Sequence, residues 1–346
     1  MIETLSTPAL LGLFVLCACA VVAGGTAMTG LADRLADRTG LGEALVGGVL
    51  LGAATSLSGT VVSLTAALDG RASLAFSNGI GGIAAQTAFL ALADLIYRKA
   101  NLEHAAADLA NVFQGTVLML LLTLPLLALT APPVTVAGMH PVSVVIVLVY
   151  IVGLRASHEV RQAPMWMPVR TDATRPDTAE DAAPDGRSTP ALVSRFGALM
   201  LVMGLAGWGI AKTTGVAIDR FGLSASVAGA LVTAVITSLP ELVTTLVAIR
   251  QGALQLAIGG IIGGNTFDTL FLTLSDAGYR DGSIYHAVGQ QDVFWLVIGL
   301  LLTVILVIGQ LFRQRHGPAG IGLESLAVLA VYVGAVVLQA TLPDPG

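Results

Sequence analysis

The sequence predicts an all-α polytopic membrane protein with ten transmembrane helices arranged as two inverted five-helix repeats. Three observations carry this expectation. The chain is 55% hydrophobic and only 11% charged over 346 residues, with a mean hydropathy of +0.84. Apolar stretches of about 20 residues recur along it, the length of a helix that crosses roughly 30 Å of hydrocarbon. Polar and glycine positions of the first half return in the second at one constant offset. A closed barrel would need segments alternating apolar and polar residues, and none is visible.

In chain order the expected spans are 9–30, 41–68, 72–97, 110–132, 141–157, 191–212, 224–249, 253–275, 290–311 and 319–341. The first follows Met1-Ile2-Glu3-Thr4, a flank with an acid and no Lys or Arg, so it reads as a retained helix rather than a signal peptide. Both cysteines, Cys17 and Cys19, lie inside that span and say nothing of redox compartment. The 40 glycines suit closely packed membrane helices. A net charge of −5, thinly spread, gives nucleic acid nothing to bind.

Between the two sets of five, residues 158–190 carry Pro164, Pro168, Pro176, Pro184 and Pro190 among scattered charges, a composition that cannot bury a core and predicts a flexible linker. The domains expected are thus 1–157, the linker 158–190, and 191–346. Alternating loops sort the 17 basic residues very unevenly: only Arg71, Lys212, Arg220 and Arg280 fall on one side. Arg34, Arg38, Arg98, Lys99, Arg155, the linker arginines Arg161, Arg170, Arg175 and Arg187, Arg195, Arg250, Arg313 and Arg315 fall on the other, which the positive-inside rule makes cytoplasmic, with both termini outside. A bacterial-type plasma membrane is the expected location. Arg98 and Lys99 read as interface anchors.

The repeat pairs Asp37-Arg38-Thr39-Gly40-Leu41 with Asp219-Arg220-Phe221-Gly222-Leu223, and Thr55-Ser56-Leu57 with Thr237-Ser238-Leu239. It goes on to Gly70 and Gly252, Ile80-Gly81-Gly82 and Ile262-Gly263-Gly264, and Thr87 and Thr269. An odd number of helices per repeat makes the second enter from the opposite side. Inverted halves suit alternating access, with the substrate site at the midplane where they meet.

Two acids stand in apolar surroundings there. Glu241 lies in Ile236-Thr237-Ser238-Leu239-Pro240-Glu241, where an uncompensated carboxylate costs several kcal/mol. Thr237 and Ser238, four and three residues earlier, share its helix face. Pro240 lacks an N–H, so it should kink the helix and free the carbonyl of Ile236. Asp268 ends Gly263-Gly264-Asn265-Thr266-Phe267-Asp268 near mid-membrane, with Asn265 one turn away. Carboxylates, hydroxyls and freed carbonyls are the ligands a hard cation takes.

The stretch from Thr237-Ser238-Leu239-Pro240-Glu241 to Gly263-Gly264-Asn265-Thr266-Phe267-Asp268 resembles the second alpha repeat of the cation/calcium exchangers, which include sodium/calcium and calcium/proton antiporters. The resemblance implies ten helices in two inverted fives. It also implies Glu241 and Asp268 as acidic ion ligands, with Thr237 and Ser238 supplying hydroxyl or carbonyl oxygens. The first repeat departs from the pattern. Ser58-Gly59 stands where the family has its other Pro-Glu, and Gln86 pairs with Asp268. Thr55 and Ser56 survive as neutral donors, and Gly82 and Gly264 replace the family's serine. Asn78 is either a replacement polar contact or a helix-interface amide.

With two acids the site carries about two negative charges, enough for one divalent ion, two monovalent ions or two protons. Calcium usually takes six to eight oxygens, so a half-neutral site favours Na⁺ or H⁺ as competitors. Burial disfavours a charged carboxyl, which makes Glu241 a candidate proton carrier. The expected activity is secondary cation antiport, Ca²⁺ or Na⁺ against Na⁺ or H⁺, with no cofactor. The alternatives are a Na⁺/H⁺-type exchanger that does not carry Ca²⁺, and a non-transporting sensor or scaffold on the same fold. His104, His140, His158, His286 and His316 fall in loops or helix ends without metal-ligand spacing and read as solvated, and no catalytic constellation supports an enzyme.

Overall fold

The computed structural model describes residues 2–39, 54–97, 99–174, 189–317 and 321–341. Its helices are α1 (Thr7–Thr39), α2 (Leu57–Leu68), α3 (Ala72–Tyr97), α4 (Leu109–Thr130), α5 (Pro141–Gln162) and α6 (Thr189–Phe221). There follow α7 (Ala225–Thr237), α8 (Leu239–Gln251), α9 (Leu254–Asp268), α10 (Leu270–Gly278), α11 (Gln290–Phe312) and α12 (Leu323–Thr341). Among the described residues eight helices are long and apolar enough to cross a membrane, or nine when the bent pair α7–α8 counts as one. Ten was the expectation. The remaining span, 41–68, lies outside the described residues up to position 53, and what is described contains the 12-residue α2. Arg34 and Arg38 have no described side chains, and Arg98, Arg175, Arg187, Pro176 and Pro184 lie outside the described residues.

The duplication governs the whole chain. Thr7 and Thr189 open the first helix of each half, Leu57 and Leu239 the second, and Ala72 and Leu254 the third, each pair 182 residues apart. Pro141 and Leu323 open the last helices at the same separation. Gly70 and Gly252, also paired, both adopt left-handed backbone (φ 74° and 85°) where α2 and α8 end, a conformation an L side chain resists.

The halves are inverted, because α3 and its counterpart α9–α10 run antiparallel through the centre. Gly79 lies against Phe271, Gln86 against Asp268, and Leu90 and Ala93 join the same apolar cluster as Leu254 and Ala257. Every residue of α3 from Leu74 to Ala91 is buried. Its small side chains allow this: at Gly81 the backbone of Ala230 comes so close that no Cβ would fit. The outer helices α1, α5, α6 and α12 bury only a minority of their residues and turn Leu16, Val152, Leu201 and Val333 outward, as lipid contact requires.

Helix breaks occur at equivalent places. Ser56 and Ser238 each stand just before a helix with ψ near zero (−1° and −2°), and α7 and α8 diverge by 42°. The sequence led to a kink caused by Pro240. The bend instead sits at Ser238, and Pro240 occupies the first turn of α8, where its missing N–H leaves no helical bond unmade.

Two buried carboxylates tie the repeats together. Asp94, at the end of α3, accepts from Leu102 N (2.7 Å) and from Gly322 N (3.0 Å), just before α12. Its repeat partner Asp276, at the end of α10, accepts from Ile284 N (3.0 Å), His140 N (2.7 Å) and Ser143 Oγ (2.7 Å) at the start of α5. Each carboxylate accepts from one backbone N–H at the start of a helix of the other repeat, where such groups lack helical partners.

Two histidines differ from expectation. His104 and His140 are buried, because each is recruited to a helix terminus. His104 bonds Arg313 O (2.7 Å) and Thr171 Oγ1 (2.8 Å), and His140 Nδ1 accepts from Val142 N (3.2 Å). Described residues of the 158–190 segment also touch the bundle: Arg313 donates to Val169 O (2.9 Å). At the opposite end Lys212 pairs with Asp69 (2.6 Å) and Arg71 with Asp219.

Candidate functional site

The helix breaks and the central crossing of α3 with α9–α10 bring one polar cluster together inside the bundle. Glu241 enters it from the first turn of α8, whose N-terminal dipole favours a carboxylate, and Asp268 enters from the last residue of α9. Both are buried, at 4% and 2% exposure. The first repeat answers with neutral groups. Ser56 Oγ reaches Glu241 Oε1 at 3.5 Å. Gln86 Nε2 donates to Asp268 Oδ2 at 2.7 Å and to Ser238 Oγ at 3.3 Å.

These groups line a small, partly open space, about 10 Å³ open to the centre of a water-sized particle. That admits one water or one dehydrated ion. The walls are Ser56, Gly59, Asn78, Gly82, Gln86, Thr237, Ser238, Glu241, Asp268 and Phe271. Three oxygens of these residues, Glu241 Oε2, Asp268 Oδ1 and Gln86 Oε1, have no hydrogen-bond partner among the described residues. Buried oxygens left without donors are costly unless something positive meets them. Among the described residues no group of three or more His, Cys, Asp or Glu could hold a metal ion.

Of the eight residues the sequence singled out, Ser56, Gln86, Thr237, Ser238, Glu241 and Asp268 line the space. Thr237 donates to Thr233 O (2.9 Å) in its own helix, which leaves its oxygen able to accept. Thr55 is buried next to Ser56 but is not among the lining residues. Asn265 turns away, donating to Thr87 Oγ1 at 3.0 Å. Asn78 lines the wall with its hydrogen bonds committed: it donates to Gly59 O (3.1 Å) and Ser63 Oγ (2.9 Å) and accepts from Thr233 Oγ1 (2.6 Å), bracing the first-repeat break against α7.

Phe271 was not visible as a site residue, being one apolar side chain in an apolar run. A Cβ placed on Gly59 would stand 2.8 Å from its ring. The space that an acidic side chain at position 59 would enter is therefore taken by an aromatic ring from the other repeat.

Comparison with known proteins agrees with this architecture. The model of the sodium/calcium exchanger protein family matches residues 9–157 and 191–341, which are the two repeats without the segment between them. Inner membrane protein YrbG of Escherichia coli (strain K12) is 24% identical over 295 residues, 85% of this chain and 86% of its own length. CaxA of Alkalimonas amylolytica, named as a candidate antiporter, is 30% identical over 118 residues, 34% of this chain and only 35% of that protein. Among solved structures the H⁺/Ca²⁺ exchanger CAX aligns with a TM-score of 0.70 at 14% identity, covering 97% of this chain and 82% of its own. The sodium-calcium exchanger NCX_Mj aligns at 0.59 and 16% identity, covering 96% and 99%. These two likenesses concern the fold. With both repeats matched by the family model, the chain belongs to the sodium/calcium exchanger protein family.

Proposed function

We propose that this protein is a secondary cation antiporter in which Glu241 and Asp268 bind the transported ions in turn. The observation that carries the reading is the pair of donor-less carboxylate oxygens, Glu241 Oε2 and Asp268 Oδ1, on two acids that line an ion-sized space between inverted repeats. A cation there meets about two negative charges plus the oxygens of Ser56, Thr237, Ser238 and Gln86. Emptied, the same pair of carboxylates is expensive to carry through the low-dielectric barrier, so the site changes sides loaded. Two cation species competing for one site then exchange obligatorily. The repeats 1–157 and 191–346 supply the two halves of the moving unit, and 158–190 is a cytoplasmic linker in a bacterial-type plasma membrane, with both termini outside.

The ion pair is Ca²⁺ or Na⁺ against Na⁺ or H⁺. One observation favours the narrower reading, a Na⁺/H⁺-type exchanger that does not carry Ca²⁺: Gly59 offers no carboxylate and Phe271 closes its place, so divalent coordination lacks one acidic side. Flux into proteoliposomes driven by Na⁺, Ca²⁺ or pH gradients separates these readings. Flux of Na⁺ and H⁺ without Ca²⁺ selects the narrower one. The absence of any cation flux leaves the non-transporting scaffold.

A further inference from the structure

Two ion pairs join the end of α2 to α6, and they stand over the contact that separates the mid-membrane site from one end of the bundle. α2 begins at the ion-sized space, where Ser56 and Gly59 form part of the wall, and ends beside the exposed Asp69. α6 covers α2 on the way. At Gly207 of α6 a Cβ would stand 2.6 Å from Ser58 O, and Val62 of α2 belongs to the same apolar cluster as Ala206, Ile210 and Ala211 of α6. An aqueous route from the space to the Asp69 end along this face opens only when α2 and α6 part.

The turn after α2 is rigid. Asp69 N bonds Thr65 O (3.0 Å), Gly70 N bonds Ala67 O (3.0 Å) and Arg71 N bonds Ala66 O (2.8 Å). The side chains on either side of Gly70 both reach α6. Lys212 Nζ donates to the two Asp69 oxygens (2.6 and 2.7 Å), and Arg71 makes a bidentate pair with Asp219, Nη1 to Oδ1 at 2.9 Å and Nη2 to Oδ2. Lys212 and Asp219 are seven residues apart, two turns along one face of α6. Between them Gly215 leaves room for the guanidinium, since a Cβ there would meet Arg71 Nε at 2.8 Å. The turn presents an acid then a base, and α6 a base then an acid, so a slip between them brings like charges together.

Duplication supplied the packing but not the charges. Gly25, the repeat partner of Gly207, lies against Pro240, the repeat partner of Ser58, where a Cβ would stand 2.5 Å from the ring. The glycine contact of α2 with α6 thus recurs between α8 and α1. The repeat partners of Asp69, Arg71, Lys212 and Asp219 are Gln251, Ala253, Gly30 and Asp37, one charge among four, so those positions cannot reproduce either pair. Inverted repeats exchange equivalent interfaces as access alternates. Charges placed on one of the two equivalents act on only one side of that exchange.

Resting on the antiport reading, we infer that Asp69–Lys212 and Arg71–Asp219 form an electrostatic latch that closes the mid-membrane site toward the Asp69 end, and that both pairs break each time the site is exposed there. The four side chains are 27–63% exposed, so salt screens them and ionic strength sets how often the latch opens. One exposed pair holds little, but two pairs presented by one rigid turn must open together.

The test uses the full chain in nanodiscs and proteoliposomes, with Cys17→Ala and Cys19→Ala so that introduced thiols stand alone. Val62→Cys, sealed between α2 and α6, should react slowly with a charged, water-soluble thiol reagent. Adding Lys212→Gln and Arg71→Gln should speed that reaction about threefold or more, and high KCl should speed it while the pairs are intact. The charge exchange Asp69→Lys/Lys212→Asp should react more slowly than Lys212→Asp alone. Asp69→Cys/Lys212→Cys, joined by a short bifunctional thiol reagent, should stop cation exchange until a reductant releases the link. The latch is refuted if Val62→Cys reacts at one rate with and without the pairs, if salt leaves that rate unchanged, if the charge exchange restores nothing, or if the crosslinked protein exchanges cations undiminished. A chain that carries no cation in any form overturns the antiport reading instead, and the thiol rates still decide whether the pairs hold this end closed.

Discussion

Gln86 Nε2 donates to Asp268 Oδ2 at 2.7 Å, and these two residues are repeat partners 182 positions apart. The duplicated position has diverged into an amide and an acid that now bond each other across the axis relating the halves. The amide neutralises part of the site without adding charge, and its Oε1 has no hydrogen-bond donor among the described residues. Ion preference is therefore expected to depend on Gln86 as much as on the acids.

Replacing Gln86 by Leu leaves Asp268 Oδ2 without that donor. The ion-free protein should lose about 1–3 kcal/mol, the cost of an unsatisfied buried polar group, read as a lower melting temperature in detergent. Gln86→Glu should also lower ion-free stability, through like-charge repulsion. It should then gain more from added Ca²⁺ than the wild type does, read as a larger Ca²⁺-dependent rise in melting temperature.

Gly59→Glu restores an acid at the position where the first repeat lacks one, but its Cβ meets the Phe271 ring at 2.8 Å. Alone it should cost about 1–3 kcal/mol by overpacking, measured by thermal melting. Combined with Phe271→Ala, which clears the space, it should raise Ca²⁺ transport relative to Phe271→Ala alone, measured by Ca²⁺ uptake into proteoliposomes.

Asp276→Ala removes the acceptor for His140 N, Ser143 Oγ and Ile284 N. Two orphaned backbone donors, with Ser143 left to bond Tyr285 alone, predict a loss of several kcal/mol, larger than that of most single substitutions, visible as a steep drop in melting temperature or in folded yield.

Much of the fold was legible because hydropathy and duplication point the same way. The expected span 72–97 coincides with Ala72–Tyr97, and 290–311 with Gln290–Phe312. Where the two signals part, boundaries slipped. The span 191–212 was cut at Lys212, yet α6 runs on to Phe221, since a lysine ends an apolar run without ending a helix. The two acids of the candidate site stood out because a carboxylate contrasts with an apolar run. Phe271 has no such contrast. Glu103 and His104 were hidden for the opposite reason: they sit between spans, where polar residues pass as solvated, and only the packing of Leu102 and Ala105 against α9 buries them. Asp94 and Asp276 were within reach of the repeat offset, since both are acids at paired positions.

The most direct test of exchange at the mid-membrane site is cation flux into proteoliposomes, with wild type, Glu241→Gln and Asp268→Asn side by side and both variants shown to melt no lower than the wild type. The account expects wild-type uptake of Na⁺ or Ca²⁺ that requires a counter-cation inside, and a loss of at least tenfold in each variant. Uptake that proceeds without a counter-cation, or that survives both substitutions undiminished, would contradict it.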